Sequence, residues 1–403
     1  MKIKNEIVNS LDKLEKYVRN NNFSGYDPYD ALNSKKLFNI NNRLLRILLT
    51  QIFVYNPINL RIFFNIKKGI NPKAIGLFLS AYCKLYDNGL IEQKFFESIS
   101  SILVKLLLKY NSKDFTNYCW GFNFNWQDVS RNARKWLPTI VVTSYVGNSF
   151  LDLYKIKKEK KYQEIVKSIC RFILEDLNIT KNKNGICFSY TPIDKQIVHN
   201  ANCLGAAFLS RVYYITHDEK LLDYSRKAFD FSISYQNNDG SWAYSINPIN
   251  HQVRNQIDFH QGFILDSLID FIKYVDLNNK KYQQSLIKGS QFYINQQFEK
   301  SGRARWRLPY SFPIDIHHQA QGIITFSKLY TLFRKNGYLN FAKIIAKWAI
   351  ENMQDETGFF YHQKWLLITN KIPYMRWGQA WMMLALSSLL NAKKEEFLNE
   401  KNR

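Results

Sequence analysis

Two kinds of apolar segment alternate along most of the chain. Segments of the first kind are apolar on most faces and carry Gly, Ala and Ser, as helices packed on both sides do. Segments of the second kind, such as YQEIVKSICRFILEDL, keep one charged face, as helices with one side in solvent do. We therefore predict alternating inner and outer helices. The inner helices are predicted at 73–87, 138–155, 199–216, 257–274, 315–333 and 376–391, and the outer helices at 40–56, 91–110, 160–177, 219–236, 280–297 and 337–353.

Small residues recur within the inner segments at a nearly constant interval. At spacings of 58, 57, 60 and 58 residues stand Gly147, Gly205, Gly262, Gly322 and Ala380. A repeat of this length without strand patterns indicates stacked helical hairpins. Twelve alternating helices predict an all-α fold, an (α/α)6 barrel or toroid. We expect an N-terminal extension over 1–39, the barrel over 40–392, with 40–56 closing the ring, and a polar tail over 393–403.

The connections from each outer helix to the next inner helix are long and aromatic, and all fall at one end of the predicted barrel. Such loops are often binding loops. They precede the N-termini of the inner helices, whose free N–H groups favour anions. The turn at Asp239–Trp242 suits either a structural Gly turn or a ligand contact. We predict an aromatic funnel for substrate, of which some members belong to the core. Its candidates are Trp120, Trp126, Gln127, Tyr190, Trp242, Tyr361 and Tyr374.

The string Ile-Asp-x-His occurs twice, at the start of two consecutive predicted inner helices. It places Asp258 and Asp315 57 residues apart, and so at the same depth on neighbouring helices. Paired carboxylates can serve as general acid and base on a glycosidic bond. Each Asp would also be a good helix cap. Both interpretations stay open at this point.

Four of the seven histidines fall at the same end of the barrel. His260 and His317 hold equivalent places in the repeat, and His318 and Gln319 share a helix face with Asp315. Because imidazole titrates near neutral pH, His260, His317 and His318 are candidate proton carriers, with buried structural histidines as the alternative. Four metal ligands at regular spacing are not evident, and no nucleotide-binding fingerprint occurs. We predict neither a metal nor a cofactor.

Arginine and tryptophan occur together in two of the rim segments. Arg305, Trp306 and Arg307 stand in one loop, and the last inner helix opens with Arg376, Trp377 and Gln379. Guanidinium groups form paired hydrogen bonds with carboxylates, and an indole offers a stacking surface for a sugar ring. We predict that these residues and Gln319 bind substrate. A solvated basic loop is the alternative for the first segment.

The chain is strongly basic. Its 403 residues carry 56 Lys and Arg against 33 Asp and Glu, a formal charge of +23. An anionic polysaccharide or oligosaccharide is the partner that we expect, peripheral membrane contact is the second candidate, and we expect no nucleic acid. The basic amphipathic stretch 43–55 could lie on a bilayer or pack on the barrel. Five cysteines without C-x-x-C spacing and a start without an apolar core predict a cytoplasmic protein, with the inner face of the membrane as an alternative location.

The chain resembles bacterial proteins encoded in capsule and exopolysaccharide clusters. The resemblance spans about 115–391 and rests on WGFNFNWQ (120–127), PTIVVTSYVGNSFLDLY (138–154), DGSW (239–242), IDFHQGFILDSL (257–268), PIDIHHQAQGIITF (313–326) and RWGQAW (376–381). Some of those proteins are labelled delta-aminolevulinic acid dehydratase, an activity that needs a TIM barrel, which this sequence does not predict. The architecture is more distantly similar to unsaturated glucuronyl hydrolases and to the helical domain of glucuronyl C5-epimerases, which act on uronic acids.

The resemblance implies an enzyme that modifies or trims an anionic bacterial polysaccharide or its lipid-linked precursor. Hydrolysis, elimination and epimerisation all stay open as its reaction. The alternative is a non-catalytic glycan-binding or scaffold subunit of a polysaccharide assembly complex.

Overall fold

A computed structural model describes residues 2–128 and 132–392, so the predicted tail 393–403 lies outside the described residues. Helices dominate the fold. They are α1 Lys2–Asn20, α2 Lys35–Phe38, α3 Arg43–Tyr55, α4 Pro72–Asp87, α5 Gln93–Lys109, α6 Ile140–Lys157, α7 Lys160–Arg171, α8 His199–Thr216, α9 Glu219–Ser234, α10 His260–Tyr274, α11 Lys280–Gln297, α12 Ile316–Phe333, α13 Asn336–Met353 and α14 Trp381–Asn391. A 3-10 turn at Asp30–Asn33 and π turns at Phe172–Asp176 and Met375–Ala380 complete the helical part.

Six inner helices form a closed ring. In order around the ring, α4, α6, α8, α10, α12 and α14 each contact the next, and α14 contacts α4. The outer helices α5, α7, α9, α11 and α13 pack against α4, α6, α8, α10 and α12 respectively. The predicted all-α barrel of helical hairpins is therefore confirmed. The glycine repeat has a steric cause, since a Cβ on Gly147 of α6 would lie 2.5 Å from the ring of Phe208 on α8.

The sixth outer helix differs from the prediction. We expected 40–56 in that place, but α1 occupies it and packs on α13 and α14. Its residues Ile7, Leu11, Leu14 and Val18 follow helical spacing and are at most 4% exposed, so α1 buries a continuous apolar stripe. The long connection 21–71 that follows α1 contains α2 and α3 and packs as a lobe on the rim of the barrel.

Glycine turns at the rim confirm that α1 belongs to the ring. Gly240, at φ +98°, lies against the backbone of Lys288 in the next outer helix, where an added Cβ would be 2.4 Å from the carbonyl oxygen. Gly358, at φ +105°, lies in the same way against the carbonyl of Lys13 in α1. Only glycine fits such a turn, because the conformation is left-handed and leaves no room for a Cβ.

Short strands stiffen the long connections. They are β1 Trp126–Gln127, β2 Asn132–Ala133, β3 Ile179–Asn182, β4 Gly185–Phe188, β5 Ile197–Val198, β6 Ser245–Ile246, β7 Val253–Arg254, β8 Ile314–Asp315, β9 Gln363–Lys364 and β10 Thr369–Asn370. Pairing is antiparallel throughout, in the orders β1-β2, β3-β4, β5-β6-β7 and β10-β9-β8. The register of β8 and β9 sets Asp315 opposite Gln363 and so brings one rim loop to the next.

Candidate active site

Both repeated aspartates lie at the loop-bearing end of the barrel, at the start of an inner helix. Asp315 is the N-cap of α12, and its Oδ1 accepts from the His317 N–H at 2.9 Å. Asp258 precedes α10, and its Oδ1 accepts from the His260 N–H at 3.1 Å. Each aspartate thus satisfies a free N–H of a first helical turn, as the capping interpretation predicts. Their remaining contacts differ.

Asp258 forms a dyad with His260. Its Oδ1 lies 2.5 Å from His260 Nδ1, and its Oδ2 accepts from Gln256 Nε2 at 2.6 Å. Arg254 Nη2 donates to the Gln256 Oε1 at 2.8 Å and so fixes that amide. Burial alone would raise the pKa of Asp258, but its electrostatic interaction with His260 and the hydrogen bonds from His260 and Gln256 outweigh it and hold the pKa at about 2. A permanently ionised Asp258 therefore orients the imidazole.

His260 is the member of the dyad that a substrate could meet. Its side chain is 17% exposed, against 5% for Asp258. Because Nδ1 faces the carboxylate, Nε2 is the nitrogen available for substrate. The imidazole lies between Phe259, with ring centroids 4.2 Å apart, and Tyr244, at 4.8 Å. This arrangement can carry a proton at a defined position.

Asp315 is as deeply buried as Asp258 and is held by three hydrogen bonds. Besides the His317 N–H, Trp377 Nε1 donates to Oδ1 at 2.8 Å and Gln363 Nε2 donates to Oδ2 at 2.9 Å. Burial raises the pKa of Asp315 to about 6, against the opposing effect of these bonds and with a further rise from the charge of Asp258. The environments of the two carboxyl groups thus set their pKa values apart, a pattern that separates acid from base in active sites.

The other rim histidines are sealed in the core. The ring of His317 is 1% exposed and lies 4.4 Å from Phe259 and 4.6 Å from Trp381. His318 is also 1% exposed, and burial lowers its pKa to about 4. Burial likewise lowers the pKa values of His317 and His362. We expected His317 and His318 as proton carriers; the structure instead gives them packing positions, in which they stay neutral.

The loop of three arginines presents one of them to the dyad. Arg307 Nε lies 4.0 Å from Asp258 Oδ2, and its guanidinium stacks on Trp306 at 4.6 Å. Arg305 points elsewhere and donates from Nη1 to the carbonyl of Gln296 at 3.1 Å. Arg307, with Trp306 beside it, is therefore placed to bind an anionic group of a substrate. Arg305 is not placed to do so.

Two tyrosines at this site were missed at the level of sequence. Tyr55, the last residue of α3, lies 6.0 Å from Trp306, and burial raises its pKa, an effect that Arg307 opposes and the charges of Asp315 and Asp258 reinforce. Tyr29 lies 5.4 Å from Trp377. Both belong to the lobe 21–71, which we expected to lie partly in the barrel wall. Nothing in their local sequence marks them as rim residues.

Arg376 and Tyr374, both predicted to bind substrate, hold the lobe to the barrel instead. Arg376 is 3% exposed and donates from Nε and Nη2 to both carboxylate oxygens of Asp27, at 2.6 and 2.7 Å. Tyr374 is 1% exposed, and its hydroxyl accepts from Arg61 Nη1 at 2.8 Å. Arg376 already has a carboxylate partner, so it is not free to hold an acidic sugar. Trp377 is 8% exposed and contacts the site through Asp315, Tyr29 and Phe259.

Gln319 and Gln379 are framework residues rather than substrate ligands. Gln379 accepts from the Phe360 N–H at 2.7 Å and donates to the Phe360 carbonyl at 2.8 Å. The Gln319 amide is oriented so that both of its polar atoms have partners: it donates to the Gly302 carbonyl and accepts from the Ala304 N–H, both at 3.0 Å. Gln261 binds both backbone groups of Trp242 in the same way. We call these contacts glutamine clamps. Each clamp satisfies buried backbone groups of a rim loop.

The aromatic funnel is only partly present. Trp120 and Trp242 are fully buried and donate from Nε1 to the carbonyls of Leu107 and Ser232, at 2.8 and 2.9 Å. The Tyr361 hydroxyl donates to Asp355 at 3.0 Å. These three residues serve the framework. Trp126, half-buried, packs on Tyr190 with ring centroids 6.0 Å apart, and Gln127 is 6% exposed, so this group forms part of the loop layer beside α3.

A cavity of about 360 Å³ lies at the other end of the barrel, and residues of all six inner helices line it. Two ion pairs lie in its wall, Asp152 with Arg211 at 2.7 Å and Asp270 with Lys328 at 2.8 Å. Next to this cavity, the Lys73 ammonium group lies over the rings of Tyr145, Phe263 and Trp381.

We place the candidate active site at the loop-bearing end of the barrel, because the Asp258–His260 dyad and Arg307 converge there. Within the described ranges, no three His, Cys, Asp or Glu side chains are grouped as metal ligands.

Comparison with known proteins supports the fold. No family model matches the sequence, and no curated protein does either. A glycoside hydrolase family 76 α-mannanase of Bacteroides thetaiotaomicron is similar, with 12% identity, coverage of 83% of this chain and 90% of that chain, and a TM-score of 0.63. The cellobiose 2-epimerase of Bacillus thermoamylovorans has 12% identity, coverage of 80% and 90%, and a TM-score of 0.62. The Lin0763 protein of Listeria innocua has 11% identity, coverage of 97% and 98%, and a TM-score of 0.65. At such identities the similarity shows a shared (α/α) barrel fold and nothing finer.

Proposed function

We propose that the protein is a carbohydrate-active enzyme that modifies an anionic bacterial polysaccharide or its lipid-linked precursor, at the cytoplasmic face of the membrane. The observation that carries the proposal is the Asp258–His260 dyad, with Arg307 beside it, at the loop-bearing end of the barrel. Support for a sugar substrate comes from similar barrels whose names specify mannanase, cellobiose epimerase and mannose isomerase activity. A capsule or exopolysaccharide context rests on the sequence resemblance.

The geometry favours proton transfer over hydrolysis. Hydrolysis by two carboxylates requires both to reach the glycosidic bond. Here Asp258 is engaged with His260 and Gln256, and Asp315 is enclosed by Trp377 and Gln363. An imidazole with one nitrogen fixed and the other available is instead suited to act as a general base.

A uronic acid residue would fit this chemistry. His260 Nε2 would take the proton at C5, and the electron pair would pass into the adjacent carboxylate, which Arg307 neutralises. Return of a proton to the opposite face of C5 gives epimerisation. Departure of the glycosidic oxygen at C4, with a proton from an acid, gives elimination. Tyr55, which lies beside Trp306 and stays protonated because burial raises its pKa, would be the second proton-carrying group for either course.

Uronic acid oligosaccharides incubated with the protein in D2O test the proposal. Deuterium at C5 indicates epimerisation, and ultraviolet absorbance of an unsaturated uronate indicates elimination. His260→Asn is expected to lower the rate by about 10²–10⁴. His217→Asn is the matched control, since His217 lies at the far end of the barrel with φ +55°, which asparagine tolerates.

Three results would contradict the proposal. New reducing ends without deuterium or absorbance would indicate hydrolysis. Equal activity in His260→Asn and in the unaltered protein would remove the dyad from the mechanism. Tight glycan binding that His260→Asn leaves intact, without any turnover, would instead support the non-catalytic glycan-binding subunit.

A further inference from the structure

The lobe 21–71 carries an unusual concentration of exposed apolar side chains. On α3, Leu44 is 76% exposed and Leu48 is 55% exposed. Further along, Ile62 and Phe63 are 71% and 76% exposed. The lobe also has a small apolar core of its own, so these side chains are additional to what its folding buries. We call the following set the apolar face: Phe38, Leu44, Leu45, Leu48, Ile52, Ile58, Ile62, Phe63, Leu366, Leu367 and Ile368.

The last three members come from a different part of the chain but lie beside α3. They form the tip between β9 and β10, where Leu367 is 97% exposed. Tyr55 at the end of α3 packs on Trp365 with ring centroids 6.4 Å apart. Asn370 Nδ2 donates to the carbonyl of Asn56 at 3.0 Å. The apolar face is therefore built from two segments of the chain that are held together, and a cluster of exposed apolar side chains is typical of an interaction surface.

The surroundings of the apolar face are basic. No Asp or Glu occurs between Asp30 and Asp87 in the sequence, and none occurs between Glu356 and Glu395. The exposed cations around the face are Lys35, Lys36, Arg43, Lys67, Lys68 and Lys371. The nearest acidic groups of the lobe, Asp27 and Asp30, are buried and paired with Arg376 and Arg61. Apolar side chains within a ring of cations match the surface of an anionic bilayer.

We propose that the apolar face docks the protein on an anionic lipid bilayer. None of the helices in the described part of the chain is long and apolar enough to cross a membrane, so the contact would be peripheral. A second copy of the chain fits less well, because a two-fold contact would bring these cations against one another.

Docking also bears on the substrate, provided that the proposed function holds. Tyr55, at the end of α3, lies at the candidate site beside Trp306. A membrane at the apolar face would therefore lie next to the rim that carries the dyad. The glycan best placed to reach His260 is one attached to a lipid, and so the lipid-linked precursor is the substrate form that we infer.

Vesicle flotation tests the docking. The protein is expected to float with vesicles that contain phosphatidylglycerol, less with pure phosphatidylcholine, and less as salt increases. Leu44→Gln/Leu48→Gln is expected to weaken binding by more than about tenfold, since two inserted side chains become polar. The matched control is Leu277→Gln/Ile287→Gln, two residues 56% and 41% exposed outside the apolar face, which is expected to change binding less than about twofold.

A second variant tests the charge independently. Lys35→Gln/Lys36→Gln is expected to weaken binding to anionic vesicles by about tenfold or more and to leave binding to neutral vesicles unchanged. Because both lysines are exposed, the variant retains the fold and serves even if the leucine variant is unstable. Absence of flotation, or equal loss in the control, would overturn the proposal. So would a dimer in solution that Leu44→Gln/Leu48→Gln dissociates.

The two proposals can fail separately. His260→Asn should float like the unaltered protein, since it leaves the apolar face intact. Turnover of soluble oligosaccharides without flotation would overturn docking alone. Flotation without turnover of any uronic acid glycan would overturn the proposed function alone. If both hold, Leu44→Gln/Leu48→Gln should slow turnover of a vesicle-borne glycan and leave that of a soluble one unchanged.

Discussion

Arg376 and Asp27 form a two-point ion pair, with Nε and Nη2 of the guanidinium 2.6 and 2.7 Å from the two carboxylate oxygens. Both side chains are buried, at 3% and 4% exposure. The pair joins the lobe 21–71 to the π turn that precedes the last inner helix. A second buried pair, Arg61 with Asp30 at 2.7 Å, lies in the same lobe. The tyrosines that the lobe brings to the active site therefore depend on internal ion pairs for their position.

Asp27→Ala is expected to destabilise the protein by about 3–5 kcal/mol, because it leaves the Arg376 charge buried without a partner. Urea denaturation measures the change in the free energy of unfolding. Asp223→Ala is the control, since Asp223 pairs with Lys227 in solvent at 2.6 Å. The control should cost less than about 1 kcal/mol. Equal effects of the two changes would mean that the buried pair does not hold the lobe.

The barrel could be predicted because its pattern is local and repeated. Inner and outer segments differ in apolar coverage, and small residues mark each close contact between inner helices, as at Gly147. The exception was the sixth outer helix. Both 3–20 and 40–56 are amphipathic, and sequence alone does not show which apolar face finds a partner. In the structure, the face of α1 is covered and much of that of α3 remains exposed.

The site could be predicted only in part, for a different reason. Asp258, His260, Trp306 and Arg307 do converge at the rim. Gln319 and Arg376 are as polar as the residues that do reach the site. In the fold, however, Gln319 binds the backbone of a rim loop, and Arg376 binds the carboxylate of Asp27 from a distant part of the chain. Spacing gives one indication: Gln261, Gln319 and Gln379 recur at 58 and 60 residues, close to the helical repeat. A polar residue that follows the structural repeat is more consistent with a clamp than with a unique ligand.

The glutamine clamps should contribute measurably to stability. Gln261→Leu removes both partners of the Trp242 backbone, which accepts at 2.7 Å and donates at 2.9 Å in a fully buried setting. Leaving the two groups unsatisfied is expected to cost about 2–4 kcal/mol in the free energy of unfolding, measured in guanidinium. Gln93→Ala, at an exposed position on α5, should change it by less than about 0.5 kcal/mol. A loss below 1 kcal/mol for Gln261→Leu would contradict the clamp.

The two aspartates should affect stability with opposite dependence on pH. The pKa of Asp315 is raised from 3.8 to about 6 in the fold, so its contribution is fully present below pH 3.8 and is lost as pH rises through 6. Relative to the unaltered protein, Asp315→Asn should therefore gain stability between pH 4 and 6, by roughly 3 kcal/mol or less. Urea denaturation across that range measures it.

Asp258→Asn is the opposing case. The pKa of Asp258 is lowered to about 2, so its contribution is present above 3.8 and lost as pH falls towards 2. The stability deficit of Asp258→Asn should shrink as pH falls from 4 to 2. Parallel pH curves for the two variants would show that the carboxyl groups do not have different environments.

Arg307 and Arg305 provide a matched pair for the anion-binding role. Arg307 Nε lies 4.0 Å from Asp258, whereas Arg305 donates to the carbonyl of Gln296 away from the dyad. Arg307→Gln is expected to raise Kd and KM for a uronic acid oligosaccharide about tenfold or more, since it removes a charged hydrogen-bond donor from the carboxylate. For the neutral sugar of the same linkage the change should be less than about twofold. Arg305→Gln removes the same net charge, so it controls for long-range attraction. Calorimetric titration of both variants measures the difference, and equal weakening by the two would mean that net charge, rather than a contact with Arg307, attracts the glycan.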